Sequence, residues 1–414
     1  MTKPILISGA GLASLLLARS LLRSKIPFRL FERDASLSFR GQGYRLRLSN
    51  EGLDAVEQVL GPEDFAKFYE ICGKTGGSGF KGFDAVTGEV LEEKGQPQAQ
   101  STSSNDKDTG LKNEIQDKTA PKANSLSSRD SKIVGIARGE MRRFFFEGLE
   151  QYTQFNKKAV DYVETPDGDS VKIVFSDGSE SEEGSMIIAG EGIKSKIAQK
   201  VSGGKLKHYD TRIRGIHGQA PTSAFKPLGE GVFRFKDPRG LFVITNVRAK
   251  DMDDPDMQFG WTMIGQPELI KIPNDDYTIV GKTVSDLAKN LTSGWDEKFR
   301  PLFAEMVENE AAFWKVTCST PSGVPIWDNH PRITVIGDAA HSMTPAGGLG
   351  ANTALRDSAL LGQLLKDAGG YKEGLTEEYE EKMRVYGSEA VAQSYGMASK
   401  EFGVEIDEKT SSTV

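Results

Sequence analysis

Cysteine is scarce: Cys72 and Cys318 are the only two in 414 residues. They stand far apart, with no CxxC pair and no Cys/His cluster, which excludes a disulfide framework and a metal site of ordinary zinc-ligand spacing. Both are expected as buried thiols, and no metal is expected. Positive charge is not in excess either. The 52 Lys and Arg residues are outnumbered by 59 Asp and Glu, for a net charge of -7 and a pI near 5.5. Such a chain has no basic field to attract a nucleic-acid backbone or an anionic lipid surface. No apolar run approaches the ~18 residues that suggest a membrane span; even LASLLLARSLL is broken by Arg19. The opening MTKPILISGAG lacks the basic region and small-residue cleavage site of a signal peptide, so the expected location is cytoplasmic. These absences leave a globular chain, 37% hydrophobic and 27% charged, expected as a monomer or weak oligomer with a small-molecule partner.

The length suggests two or three domains. The first unit reads as a βαβ start: strand over 4–8, Gly-rich turn over 9–11, helix over 13–23, strand over 28–31. Between residues 96 and 132 the composition turns to Ser, Thr, Asn, Asp, Lys and Gln with almost no large apolar side chain. This stretch is expected to be a disordered surface insertion; a linker between independent domains is the alternative. A helix over 138–152 and strands over 171–175 and 186–189 look like a resumption of the first lobe, with turn signals at Pro166-Asp167-Gly168 and Asp177-Gly178. From 212 to 264, β-rich runs over 231–235, 240–247 and 258–264 predict a largely antiparallel second lobe. A short strand over 333–336 then leads into a long Gly-rich loop and a helix. The chain to 398 reads as helical, and the polar residues after it are expected to fray.

Gly9, Ala10, Gly11, Leu12, Ala13 and Ser14 occupy a GxGxxG position directly after a strand and at the mouth of a helix. Glu32 and Arg33 close the next strand. In that context Gly9 permits the tight turn, Gly11 lets a pyrophosphate approach the backbone, and Leu12 and Ala13 open a helix whose N-terminal N–H groups face the phosphates. Glu32 can accept hydrogen bonds from a ribose hydroxyl. The pattern specifies an ADP moiety, not which dinucleotide. Ser14 replaces the third glycine, which governs close helix-to-strand packing.

Far along the chain, Gly337, Asp338, Ala339, Ala340 and His341 are followed by Pro345 and by Gly347, Gly348, Leu349, Gly350, Ala351 and Asn352. Here the sequence resembles the group A FAD-dependent monooxygenases, the single-component aromatic hydroxylases, whose GDAAHxxxP motif and Gly-rich extension it reproduces nearly residue for residue. The resemblance implies that Asp338 binds ribityl or ribose hydroxyls of FAD and that the loop through Pro345, Gly348, Gly350, Ala351 and Asn352 lies along the isoalloxazine ring. Backbone N–H groups at a helix entrance suit negative charge on a reduced flavin. His341 reads as a core histidine. The resemblance also points to Gly43 and Arg45 on the strand after the first βαβ unit, and to Arg138 before a helix. Alternation puts Arg45 and Arg47 on one strand face, to reach pyrophosphate or substrate or to stand as solvated edge charges. Arg142 and Arg143 are expected to face solvent. The departure is Gly190-Glu191-Gly192, where most relatives carry Asp-Gly followed by an arginine.

The implied fold class is α/β: a Rossmann-like, glutathione-reductase-like FAD-binding domain with an inserted β-rich substrate domain and C-terminal helices. The expected division is FAD-binding segments 1–75, 133–205 and 325–370, substrate-domain segments 76–95 and 206–324, the low-complexity insertion 96–132, and a C-terminal helical segment and tail 371–414. The implied function is an FAD-dependent monooxygenase using NADPH or NADH as transient co-substrate. It would hydroxylate or epoxidise an aromatic or polycyclic small molecule with O2 through a C4a-hydroperoxyflavin, in secondary metabolism. Segments around Trp295 and over 379–390 are similar to the tetracycline-modifying members. Pocket candidates are Arg47, Arg212, Arg214, His217 and Trp261; no catalytic residue is assigned. A flavin oxidase or dehydrogenase on the same scaffold and a non-catalytic flavin-binding protein remain as alternatives.

Overall fold

The computed structural model describes residues 3–37, 45–76, 80–91, 127–248, 251–254, 257–273 and 279–414. The first strand, β1 (Ile5–Ser8), is the centre of a five-stranded parallel sheet. On one side lie Met186–Ala189 and then Ile333–Val335; on the other, β2 (Phe28–Phe31) and then Thr153–Gln154. The sequences ILIS, MIIA and ITV are buried along their whole length, the pattern of parallel strands covered on both faces. Helix α1 (Leu12–Arg23) packs against Gly350–Ala368, and the Ser358 hydroxyl donates to the Ala13 carbonyl at 2.7 Å. Strands read from sequence at 28–31, 171–175 and 186–189 stand at those bounds.

Ser14 explains how the fingerprint tolerates its missing glycine. It is fully buried, and the close approach is made from the other side by Gly190. A Cβ at 190 would overlap Ser14 Oγ and come within 3.2 Å of the Ser8 carbonyl and 3.3 Å of Ile336 Cγ1. The requirement for a residue without a side chain has moved from the helix to the strand end.

A three-stranded antiparallel sheet, ordered Arg45–Leu48 (β3), Lys132–Ala137, Gly73–Gly76, flanks this core. The second lobe is a seven-stranded sheet ordered Ala312–Ser319, His208–Pro221, Gln258–Gly265, Phe242–Val247, Gly231–Lys236, Phe80–Asp84, Val90–Leu91. Its pairs are antiparallel except for Gly231–Lys236 with Phe80–Asp84. Phe235, Trp261, Trp295, Phe299 and Phe303 form an aromatic core there with the helices Lys282–Leu291 and Pro301–Ala304. The chain is thus an α/β protein with a β-rich lobe and a long C-terminal helix, Leu375–Phe402.

Three expectations change. Residues 96–126 of the expected insertion lie outside the described residues, but its last residues are anchored. The Ser128 hydroxyl donates to the Leu48 carbonyl, Arg129 pairs with Asp54 and Glu57, and the Tyr69 hydroxyl donates to Asp130 at 2.8 Å. The helix from Arg138 ends at Phe146, ahead of Gly148 with φ +79°, rather than running to 152. The tail does not fray: Asp210 N–H donates to Ser412 O and Val414 N–H to His208 O, both at 2.9 Å. Glu408 also accepts from the Ser322 N–H and hydroxyl. Polar side chains that look solvated in sequence hold this tail because it adds backbone hydrogen bonds to an open strand.

Gly190→Ala is expected to destabilise the protein by about 1–3 kcal/mol through overpacking. Adding Ser14→Gly is expected to restore much of that loss, as a double-mutant cycle in urea would measure. Additive effects would contradict the contact.

Candidate functional site

The N-terminal half of the site is built at the end of β1. Gly9 has φ +86°, and a Cβ there would lie 2.5 Å from the Gly190 carbonyl oxygen, so only glycine fits. Gly11 caps α1, and a Cβ on it would meet nothing nearer than that same oxygen at 3.8 Å. The space before the helix N-terminus is therefore open, while Leu12 and Ala13 are buried in the first turn. Glu32 is buried too; Oε2 accepts from the Ala10 N–H at 2.7 Å and Oε1 from the Asp34 N–H at 2.9 Å. A carboxylate retains further lone pairs for a ribose hydroxyl. Arg33 is exposed, its Nε 3.7 Å from Asp34.

Arg142 is not on the solvent side. It is buried, with Nε and Nη2 donating to the Ala10 carbonyl at 3.2 and 3.0 Å and Nη1 to the Leu37 carbonyl at 3.0 Å. It therefore holds the glycine turn from behind; only Arg143 is exposed. The available signal was helical spacing, since Arg142 lies one turn after Arg138 on the same face.

The second half begins at Gly337, whose φ of +62° turns the chain into the short helix Asp338–His341. The two halves lie side by side: a Cβ at Gly337 would come within 3.5 Å of Ala13 Cβ, and the Ser358 hydroxyl of the helix beyond donates to the Ala13 carbonyl. Asp338 is open to solvent; the surrounding protein raises its carboxyl above the usual range, opposed by His341 and by Arg138, which leads the helix beyond. Pro345 is exposed, and Gly347 and Gly348 follow with φ +77° and +64°. A Cβ at Gly348 would meet only Arg47, at 3.8 Å, and one at Gly350 only Met343, at 3.9 Å. Ala351 is half-buried beside them.

Asn352 is a clamp: Nδ2 donates to the Gly348 and Arg47 carbonyls at 2.8 and 3.0 Å, and Oδ1 accepts from the Ser49 N–H at 2.9 Å. It ties the glycine loop to β3 and thereby brings Arg47 to the loop. Arg45 is placed differently. Burial and then the neighbouring Arg248 lower its pKa to about 10, and Nη2 donates to the Gly135 carbonyl. Gly43 lies outside the described residues.

The second-lobe candidates scatter. Arg212 stands in a β-bulge with φ +64°, its side chain 77% exposed and its Nη2 3.8 Å from Glu268. Arg214 is buried in a two-pronged pair with Asp210, at 2.8 and 3.0 Å. Burial lowers His217 to a pKa of about 4, so it is neutral at pH 7. Trp261 is 1% exposed; its Nε1–H donates to the Leu302 carbonyl and its ring packs on Phe303. Arg212 and Trp261 are thus an outer-surface residue and a core residue. Alternation could not separate the two faces of their strands, because one face carries a core and the other a neighbouring lobe. Both cysteines are free and buried, and burial pushes each thiol up to about 12. Among the described residues no acidic, His or Cys group could hold a metal, and no helix is long and apolar enough to cross a membrane.

The cradle fits a dinucleotide: positive-φ glycines lie at both halves, an open helix N-terminus faces the first, and an accessible carboxylate stands near their junction. A family model described as "FAD binding domain" matches residues 313–394. The dual O-methyltransferase/FAD-dependent monooxygenase elcB of Phaeosphaeria nodorum is 28% identical over 402 residues, covering 87% of this chain and 40% of the relative. The chain spans about two-fifths of the length of the dual-function relatives it matches. The FAD-dependent monooxygenase phnB of Penicillium herquei is 25% identical over 410 residues, covering 94% of this chain and 90% of the relative. The structure of Klebsiella pneumoniae HpxO complexed with FAD and uric acid shares the fold, with a TM-score of 0.70 at 18% identity over 97% of this chain and 89% of that one. The fold is therefore that of the FAD-binding monooxygenases. In motif, in relatives and in architecture the chain is similar to the FAD-dependent monooxygenases, and the segment 313–394 matches an FAD binding domain.

Glu191 stands where the resemblance led to the expectation of an aspartate. Oε2 accepts from the Ser195 hydroxyl at 2.8 Å, while Ser195 also caps the Lys196–Val201 helix. Oε1 is buried without a hydrogen-bond partner among the described residues. Burial pushes the carboxyl up to about 7. The folded protein thus holds this proton up to pH 7, whereas an unfolded Glu releases it near pH ~4.3. Stability is lost as pH rises through that window and no further above it. Glu191→Gln is expected to be more stable than the parent at pH 8, by on the order of 2 kcal/mol, with the difference vanishing near pH ~4.5. Denaturant melts at the two pH values check this; a difference independent of pH would exclude the buried acid.

Proposed function

We propose that this chain is a monooxygenase that takes electrons from NADPH or NADH. It would place one oxygen atom of O2 on an aromatic or polycyclic small molecule by hydroxylation or epoxidation. The observation that carries the reading is the meeting of two glycine-bounded half-sites, joined at Ala13 and Gly337, with Asp338 open beside them. Bound FAD supplies the two-electron chemistry and the activation of oxygen. The residues of this chain bind and orient it. Gly9, Gly11, Leu12 and Ala13 receive the pyrophosphate at a helix N-terminus. Glu32 takes the ribose, Asp338 the ribityl hydroxyls, and Arg138 sits at the adjoining helix start. The loop from Pro345 through Gly348, Gly350, Ala351 and Asn352 presents backbone N–H groups where reduced flavin is negative.

Arg47, brought to this loop by Asn352, is the pocket candidate placed to orient a polar or anionic substrate substituent. Arg214 is already neutralised by Asp210. A relative that joins O-methyl transfer to oxygenation in one chain supports a hydroxylated substrate in secondary metabolism. A second reading, a flavin oxidase or dehydrogenase, is favoured only by the Glu191 departure.

Asp338→Ala is expected to weaken FAD binding by on the order of 10- to 100-fold and to purify largely colourless where the parent is yellow. Full occupancy would contradict the assignment. Anaerobic stopped-flow with NADPH, NADH and phenolic substrates separates the two readings: reduction by nicotinamide is expected, and reduction by substrate alone would establish an oxidase.

A further inference from the structure

Behind the flavin-facing turn lies a buried charge that the reading above leaves unused. Asp357, on the Gly350–Ala368 helix, is 0% exposed. Its Oδ2 accepts from the Gly337 N–H at 2.7 Å and lies 2.8 Å from His341 Nε2; its Oδ1 accepts from the Tyr386 hydroxyl at 2.7 Å. Tyr386 belongs to the C-terminal helix, and the Arg356 guanidinium lies over its ring, 4.2 Å from the centroid. One carboxylate thus joins the turn, the helix that follows the glycine loop, and the C-terminal helix.

The arrangement encloses the residue before Asp338. Gly337 gives its N–H to Asp357, and its carbonyl accepts from the Ala340 and His341 N–H groups at 2.9 and 3.1 Å. With φ +62° and ψ -140°, Gly337 holds a conformation that needs glycine. Burial alone would lower the pKa of His341, but Asp357, helped by Asp338 and a backbone hydrogen bond, turns the net direction upward. Buried ion pairs are a weak source of net stability, since well-packed apolar side chains serve about as well. What this pair and its two further hydrogen bonds accomplish is orientation.

We propose that Asp357 is the positioning residue for Asp338. By holding Gly337, His341 and Tyr386 at once, it sets the direction in which the Asp338 carboxylate meets the flavin, and so sets FAD affinity. The inference rests on the reading of Asp338 as a flavin contact. Asparagine is a poor replacement for Asp357, because it exchanges one acceptor oxygen for an NH2 group and removes the negative charge that faces His341.

The test uses the full chain. FAD is titrated by flavin fluorescence, bound flavin is read by visible circular dichroism, and FAD-free melting temperatures are taken in parallel. The control is Glu380→Gln. Glu380 is equally buried and accepts from the Thr334 hydroxyl at 2.9 Å and from Asn329 Nδ2 at 3.1 Å, so it holds the strand Ile333–Val335 that leads to Gly337 without bonding Gly337 itself. Asp357→Asn is expected to raise the FAD Kd about tenfold and Tyr386→Phe about threefold, both with an altered flavin dichroism. Glu380→Gln is expected to lower the melting temperature yet leave Kd within about twofold. Parental Kd and dichroism in folded Asp357→Asn and Tyr386→Phe would overturn the proposal, leaving Asp357 a purely structural group. If Asp357→Asn does not fold, Tyr386→Phe set against Glu380→Gln decides it. Parental FAD binding in Asp338→Ala would instead defeat the underlying reading, whatever Asp357 does.

Discussion

The parallel pairing of Ile5–Ser8 with Met186–Ala189, and of that strand with Ile333–Val335, brings three distant stretches of chain to one edge of a sheet. The turns at the heart of the site follow from what leaves that edge. The Gly9 turn leaves the first strand, Gly190 and Glu191 leave the second, and Gly337 and Asp338 leave the third. Because parallel strands end together on the same side, their loops must share one crevice. Steric closeness there is severe: Gly9 has no room for a Cβ beneath Gly190, and Gly190 has none beside Ser14. The crevice is an assembly of backbone, and glycine is required where two backbones meet.

Charge inside this assembly is managed by backbone groups. Glu32 is held by two N–H groups, Arg142 by two carbonyls, and Asp357 by one N–H and two side chains. A buried charge is tolerated when hydrogen bonds replace the water it has lost. Each of these bonds also fixes a loop, so the groups that satisfy the charge are the groups that shape the site. Glu191 is the contrast. Burial outweighs the hydrogen bond from Ser195, and its pKa rises to about 7.

The second lobe contributes mainly its underside. Its largest aromatics are consumed in a core of their own, so they cannot line a cleft. The clamp made by Asn352 decides which strand cation approaches the glycine loop. It holds the backbone of Arg47, while Arg45, two residues earlier on the same face, is stationed near Gly135 and Arg248. Two arginines of equal standing in sequence thus receive different surroundings from one amide side chain.

Local signals were enough to read both half-sites. A strand, a glycine turn and a helix are specified within a dozen residues, and the GDAAH stretch carries its own turn and helix, so Gly9, Gly11, Glu32, Asp338 and the loop to Asn352 were legible before any contact was known. The same holds for the strands whose apolar runs mark them as buried on both faces. Arg142, Asp357, Trp261 and the C-terminal tail were not legible. Their roles depend on partners 16 to about 200 residues away in sequence, and periodicity tells only which face a residue occupies, not what covers that face. Sequence alone determined that this chain carries two glycine turns at strand ends, each opening a helix. Tertiary structure decided how they are held together, because a buried polar side chain takes its meaning from the backbone group that happens to meet it.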